Sequence, residues 1–271
     1  MANKERSADM SRRARQAAVL WLVFIFIAII LNGTIPFILG IDLHSWTSSI
    51  TKSILVSAII YAALFLVAPL ILEKSWEIVR QPAFLIPLVV AIAGIILWSV
   101  FPVAAAVVVF VLLYLHYRFN LSKLGIHSTG WRGDLEAVLF LGLLQLPFVF
   151  TLPGPYTFSL ATGLIAGFER LFANPATTVE YFFYFGFLTE RFSGFLTQRF
   201  SYRTGRILTV PLVGAMYTMH EVSNPEYWYG GMSFVLTFFG IMVFTVFYLW
   251  RRSVFVNWLG DGLGKLLIGI F

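Results

Sequence analysis

Val254-Phe255-Val256-Asn257-Trp258-Leu259-Gly260-Asp261-Gly262-Leu263-Gly264-Lys265-Leu266-Leu267-Ile268-Gly269-Ile270-Phe271 is apolar enough to lie in a lipid bilayer, yet it carries an acid and a base one helical turn apart. Charges at bilayer depth cost at least ~2.5–3.5 kcal/mol each on insertion scales, so they face a bundle interior and act there. The rest of the chain has the same character. Of 271 residues 59% are hydrophobic and 12% charged, and mean hydropathy is +0.85. Soluble domains carry roughly 25% charged residues. A chain this poor in charge cannot cover a water-exposed surface, and the reading is an all-α, polytopic transmembrane helix bundle.

Working outward, apolar spans are expected at 17–40, 51–72, 83–98, 102–117, 135–152, 176–198, 207–222, 231–250 and 254–271, about eight to nine membrane helices. Ala17–Leu31 follows a basic segment but shows no small-residue cleavage site, which reads as a retained first helix. The segment 155–172 is left open between an outer interfacial helix and a further crossing. Basic clusters at Lys4/Arg6/Arg12/Arg13/Arg15, Lys74/Arg80, Arg118/Lys123/Arg132, Arg199/Arg203/Arg206 and Arg251/Arg252 fall on one side if that segment stays outside. The positive-inside rule then gives a cytoplasmic N-terminus. The expected location is integral to the plasma membrane of a prokaryote. The net charge of +6 sits in these clusters, so it points to membrane lipid and not to nucleic acid. One membrane domain, 1–271, is expected, with 1–123 as variable N-terminal helices and 124–271 as the chemical core.

Four ionisable residues in that core are candidates for a site: Glu190, His220, Asp261 and Lys265. Glu190 lies nine residues from Arg199, and Asp261 nine from Arg252. At the helical rise both would sit at about 13–14 Å depth, with His220 and Lys265 near ~20 Å. Three helices could therefore present the four groups to one polar site. Glu190, Ser193, Gly194 and Thr197 share a face, and the glycine would let a neighbouring backbone approach. Asp261 and Lys265 could instead pair with each other. Glu180 reads as a surface acid near the outer boundary. His44, His116 and His127 have no metal-binding spacing, cysteine is absent, and neither metal nor cofactor is expected.

From Leu124 onward the order of elements resembles the CAAX protease and bacteriocin-processing family of intramembrane proteases. Leu124-Gly125-Ile126, Trp131-Arg132 and Asp134 look like the entry into that family's core. Thr189-Glu190-Arg191-Phe192-Ser193-Gly194-Phe195-Leu196 resembles its first motif, normally two adjacent glutamates, a few residues, then Phe-Arg-Gly. Pro211 to His220, with Tyr217, resembles the second, an aromatic residue before a histidine. Tyr248-Leu249-Trp250-Arg251-Arg252-Ser253 and the run to Lys265 resemble the third, Tyr-Leu, a basic turn, Ser, then His-x-x-x-Asn, with Asp261 and Lys265 in the last two places. The resemblance implies hydrolysis of a membrane-tethered or lipidated peptide by water activated between Glu190 and His220. The chain departs from it at one glutamate, the arginine, the second histidine and the asparagine. A degenerate relative acting as scaffold or regulator of a partner membrane protein is the alternative. A third reading takes Asp261-x-x-x-Lys265 as the counter-ion and Schiff-base spacing of a retinal protein.

Overall fold

The structure is a computed structural model. It describes residues 2–42, 60, 63–73, 76–98, 101, 103–119, 121, 127, 129–147, 158–172, 175–222 and 231–270. Half of the expected 51–72 span lies outside the described residues, as do His44, Leu124-Gly125-Ile126, Gly154-Pro155 and Ser223. The described chain is all helical, and among these residues there is no strand.

The helices are α1 (Ala2–Ile29), α2 (Ile35–Leu39), α3 (Ala68–Leu72), α4 (Trp76–Val79), α5 (Pro82–Trp98), α6 (Val103–Phe119) and α7 (Trp131–Leu143). They continue as α8 (Leu160–Phe172), α9 (Pro175–Tyr181), α10 (Thr189–Arg199), α11 (Tyr202–Glu221), α12 (Gly231–Arg251) and α13 (Val254–Gly269). Wider π-helical turns join α1 to α2 (Ile30–Thr34), precede α3 (Ala63–Val67) and join α9 to α10 (Phe182–Leu188). Two stretches, Ser7–Leu39 and Phe234–Arg251, are long and apolar enough to cross a membrane, while Pro82–Trp98 and Val103–Phe119 are shorter apolar helices. Several spans read from hydropathy are broken. The 135–152 run stops being α-helical at Leu143. Pro147 lies just beyond, has no N–H to continue the ladder, and disfavours helix in the residue before it.

Packing depends on glycine, whose missing side chain lets neighbouring helices come into close van der Waals contact. A Cβ built on Gly94 would come 2.5 Å from Val108, which sets the α5–α6 hairpin. α13 is clasped between α7 and α8. Gly142 faces Leu263 and Gly260 faces Leu141 on one side. On the other, Gly163 meets Ile270, Gly167 meets Leu266, and Gly262 meets Leu171, so α8 runs antiparallel to the last helix along its length. The segment 160–172 is thus a packed member of the bundle. The alternating glycines of 260–264 are explained by this seam. Gly194 faces α1, but what a Cβ there would meet, at 2.2 Å, is the terminal methyl of the Met10 side chain and not a neighbouring backbone.

Contacts at the ends of the helices bring the basic clusters together. Arg191 pairs with Glu73, and Arg13 lies 3.3 Å from the same carboxylate. Phe84 at the start of α5 meets Phe119 at the end of α6, rings 5.4 Å apart. Asp134 joins Tyr117 of α6 to Arg251 of α12, both at 3.2 Å, and Arg206 donates to the Leu249 carbonyl. The start of α1, the α10–α11 corner and the ends of α6 and α12 therefore share one end of the bundle. Ser201 caps α11 by accepting from the Thr204 N–H at 3.2 Å. Asp261 and His220 belong to the other half.

Candidate functional site

α11 crosses the bundle from its capped start at Tyr202 and delivers His220 one residue before its end. The ring is held by aromatic walls: edge-on to Phe24 of α1 at 4.5 Å, and face-on to Tyr184 at 6.0 Å and 11°. Tyr217, one turn earlier, packs on Tyr184 at 4.7 Å. The acid beside His220 is Glu180, whose Oε1 lies 3.9 Å from Nε2. The Tyr217 hydroxyl reaches the same carboxylate. Glu180 and His220 are buried at 7% and 6% exposure, and among the described residues His220 Nδ1 has no hydrogen-bond partner. Glu180, read from the sequence as a surface acid, is an interior one.

Asp261 joins this neighbourhood through the next residue along the chain. Tyr181 donates to Asp261 Oδ2 at 2.9 Å, and Arg170 of α8 donates to the same oxygen. Asp261 therefore pairs with Arg170 and not with Lys265, which is exposed. The one-turn ion pair of the last helix is not formed, because the helix turns Asp261 inward against α8 and α9 while Lys265 points away. That geometry also removes the basis of the retinal reading, which needs Lys265 inside. Asn257, one turn before Asp261, is fully buried and donates to the Phe244 carbonyl at 2.9 Å, and its Oδ1 has no partner among the described residues.

Glu190 lies elsewhere. Tyr248 donates to its Oε1 at 3.1 Å, Arg252 donates to its Oε2, and His127 Nε2 stands 3.7 Å from that oxygen. Arg252 holds a left-handed backbone conformation, φ 60°, at the corner between α12 and α13. Next to it the buried Ser253 and His116 approach to 3.4 Å. Glu190 thus belongs to the arginine-rich end, level with Arg252. Ten residues separate it from Glu180, about 15 Å along a helix. Of the four residues singled out by sequence, the structure brings His220 and Asp261 into one half of the bundle, leaves Glu190 in the other, and turns Lys265, one turn beyond Asp261, outward. Glu180, Tyr181 and Arg170 are the additions. Among the described residues no group of three or more His, Asp or Glu is arranged to hold a metal ion. Comparison with protein-family models, with curated proteins and with solved structures found no significant match for this chain.

Proposed function

We propose that this chain is a polytopic membrane helix bundle of the CAAX protease-like kind, and that it hydrolyses a membrane-tethered or lipidated peptide with Glu180 and His220 as its catalytic pair. The observation that carries this reading is the approach of Glu180 Oε1 to His220 Nε2, 3.9 Å apart in the bundle interior. That separation is longer than a direct hydrogen bond, so a water can touch both groups at once. Glu180 would accept the water's proton as its oxygen attacks the peptide carbonyl and would return that proton to the amine as the C–N bond breaks, while His220, steadied by Phe24 and Tyr184, would orient the water. Tyr217 lies on the same carboxylate and is a hydroxyl donor within reach of developing charge.

The geometry also suggests a different register for the family resemblance, ten residues earlier. Glu180-Tyr181-Phe182-Phe183-Tyr184-Phe185-Gly186 then stands for the paired glutamates and Phe-Arg-Gly, and Asn257-x-x-x-Asp261 for His-x-x-x-Asn. Tyrosine replaces the second glutamate and Phe185 the arginine. Hydropathy supports the membrane assignment through Ser7–Leu39 and Phe234–Arg251.

A specific observation favours the second reading, a catalytically silent scaffold. The Asn257 amide, a donor that could help an oxyanion, is engaged with the Phe244 carbonyl, and Asp261, a carboxylate held by Arg170 and Tyr181, would repel one. The two readings separate on one experiment. Membranes containing the wild-type chain are compared with membranes containing Glu180→Gln by mass spectrometry of new peptide N-termini. Membrane-protein cleavages present only with the wild type support hydrolysis. Identical profiles at equal expression leave the scaffold.

A further inference from the structure

The arginine-rich end holds two populations of guanidinium. One is committed to acids: Arg251 to Asp134, Arg252 to Glu190, and Arg191 with Arg13 to Glu73. The other, Arg118, Arg132, Arg199 and Arg203, is exposed and makes no ion pair among the described residues. Three of these four stack on an aromatic neighbour: Arg118 on Tyr114 at 5.4 Å, Arg132 on Trp131 at 5.5 Å and Arg199 on Phe195 at 5.1 Å. Trp131 and Trp250 flank them with 62% and 56% of their surface exposed. The opposite half of the bundle carries Glu169, Glu180, Glu221 and Asp261, with Arg170 committed to Asp261 and Lys265 as an exposed cation. Uncommitted positive charge is therefore concentrated on one rim, beside indole rings suited to headgroup depth.

The geometry points to this rim as a docking collar for anionic phospholipid. Guanidinium groups hold phosphate oxygens in a fork, and stacking on an aromatic ring fixes the fork's direction. The exposed indoles lie against the glycerol and first methylenes of a bound lipid, a contact that free phosphate lacks. Phosphatidylglycerol is therefore held more tightly than phosphatidylcholine, whose choline cation opposes the arginines.

The test uses the full chain purified in a neutral detergent and titrated with phosphatidylglycerol, phosphatidylcholine or inorganic phosphate. Melting temperature and native mass spectrometry are read in parallel. Phosphatidylglycerol should raise the melting temperature and remain bound as discrete adducts; the other two should do neither. An arginine near an anionic surface contributes about fivefold in affinity. Arg118→Gln/Arg132→Gln/Arg199→Gln/Arg203→Gln should therefore weaken phosphatidylglycerol binding at least ~10-fold, while Lys265→Gln leaves it unchanged. If the quadruple variant fails to fold, Arg118→Gln/Arg132→Gln and Arg199→Gln/Arg203→Gln are measured separately, and each should lose part of the shift. Equal stabilisation by phosphatidylcholine, reproduction by phosphate alone, or full lipid selectivity in the variants overturns the proposal.

Discussion

Glu180→Gln and Glu190→Gln should part company. Glu190 is paired with Arg252, and their side chains are 12% and 30% exposed. Breaking a buried pair costs ~3–5 kcal/mol and a surface pair ~0–1 kcal/mol, and this half-sheltered one lies between, at about 2 kcal/mol. Arg252 also loses the carboxylate that helps to hold its φ of 60°. Glu190→Gln should lower the melting temperature by about 4–8 °C. Its turnover, measured well below that temperature, should stay within about twofold, since Glu190 does not touch His220 and supplies no base to the water. Glu180→Gln keeps the shape of the side chain and removes the base. Turnover of a tethered reporter peptide in proteoliposomes should fall by ~10²–10⁴-fold with little change in melting temperature. Both quantities are read on the same preparations, so a folding defect cannot pass for a catalytic one. Loss of turnover in Glu190→Gln with retention in Glu180→Gln would falsify the assignment and return the base to Glu190.

Three further outcomes follow from the packing and the buried pairs. Gly163→Ala should destabilise by about 1–3 kcal/mol, because its Cβ would lie 2.6 Å from the Leu266 carbonyl, whereas Gly33→Ala, with nothing within 4 Å, should be neutral or stabilising by up to ~1 kcal/mol; chemical denaturation in detergent compares them. Asp261→Ala should cost about 3 kcal/mol by leaving Arg170 without its acid, and Lys265→Ala less than ~0.5 kcal/mol; equal losses would restore the Asp261–Lys265 pair. In this cysteine-free chain, Thr204→Cys and Lys265→Cys should be labelled from opposite sides of the membrane, while Ser253→Cys, fully buried beside His116, should resist labelling from either.

Much of the architecture was legible because it rests on composition. Helical class followed from the scarcity of charge, and α5 and α6 from the apolar runs 83–98 and 102–117. The buried site was only half legible. His220 and Asp261 stand out as ionisable groups in apolar runs, and both are interior. The depth argument failed for Glu190 because it took the last arginine of each helix as a common level. Arg199 is exposed beyond that level, while Arg252 folds back onto Glu190 itself, so nine residues from one arginine did not equal nine from the other. Glu180 was missed for the converse reason. Its nearness to Asn174-Pro175 suggested a boundary, although the run Val179–Leu188 that contains it is buried throughout. Arg170 gave no periodic signal, since its partner lies 91 residues away.

The π-helical turns of Phe182–Leu188 have an angular consequence for the two glutamates. A π-turn takes up one extra residue, which delays everything after it by about 100° around the axis. In an unbroken α-helix ten residues bring a side chain to within ~80° of where it began. With the extra residue absorbed, the same ten behave as nine and leave Glu190 about 180° from Glu180. The helix works as a phase shifter: one acid turns toward His220, the other toward Arg252. Deleting a single residue between Phe182 and Leu188 to restore α-helix would leave nine residues, again about 180°, so the two acids would keep opposite faces; unwinding the π-turns at constant residue number would instead bring them within ~80° of each other.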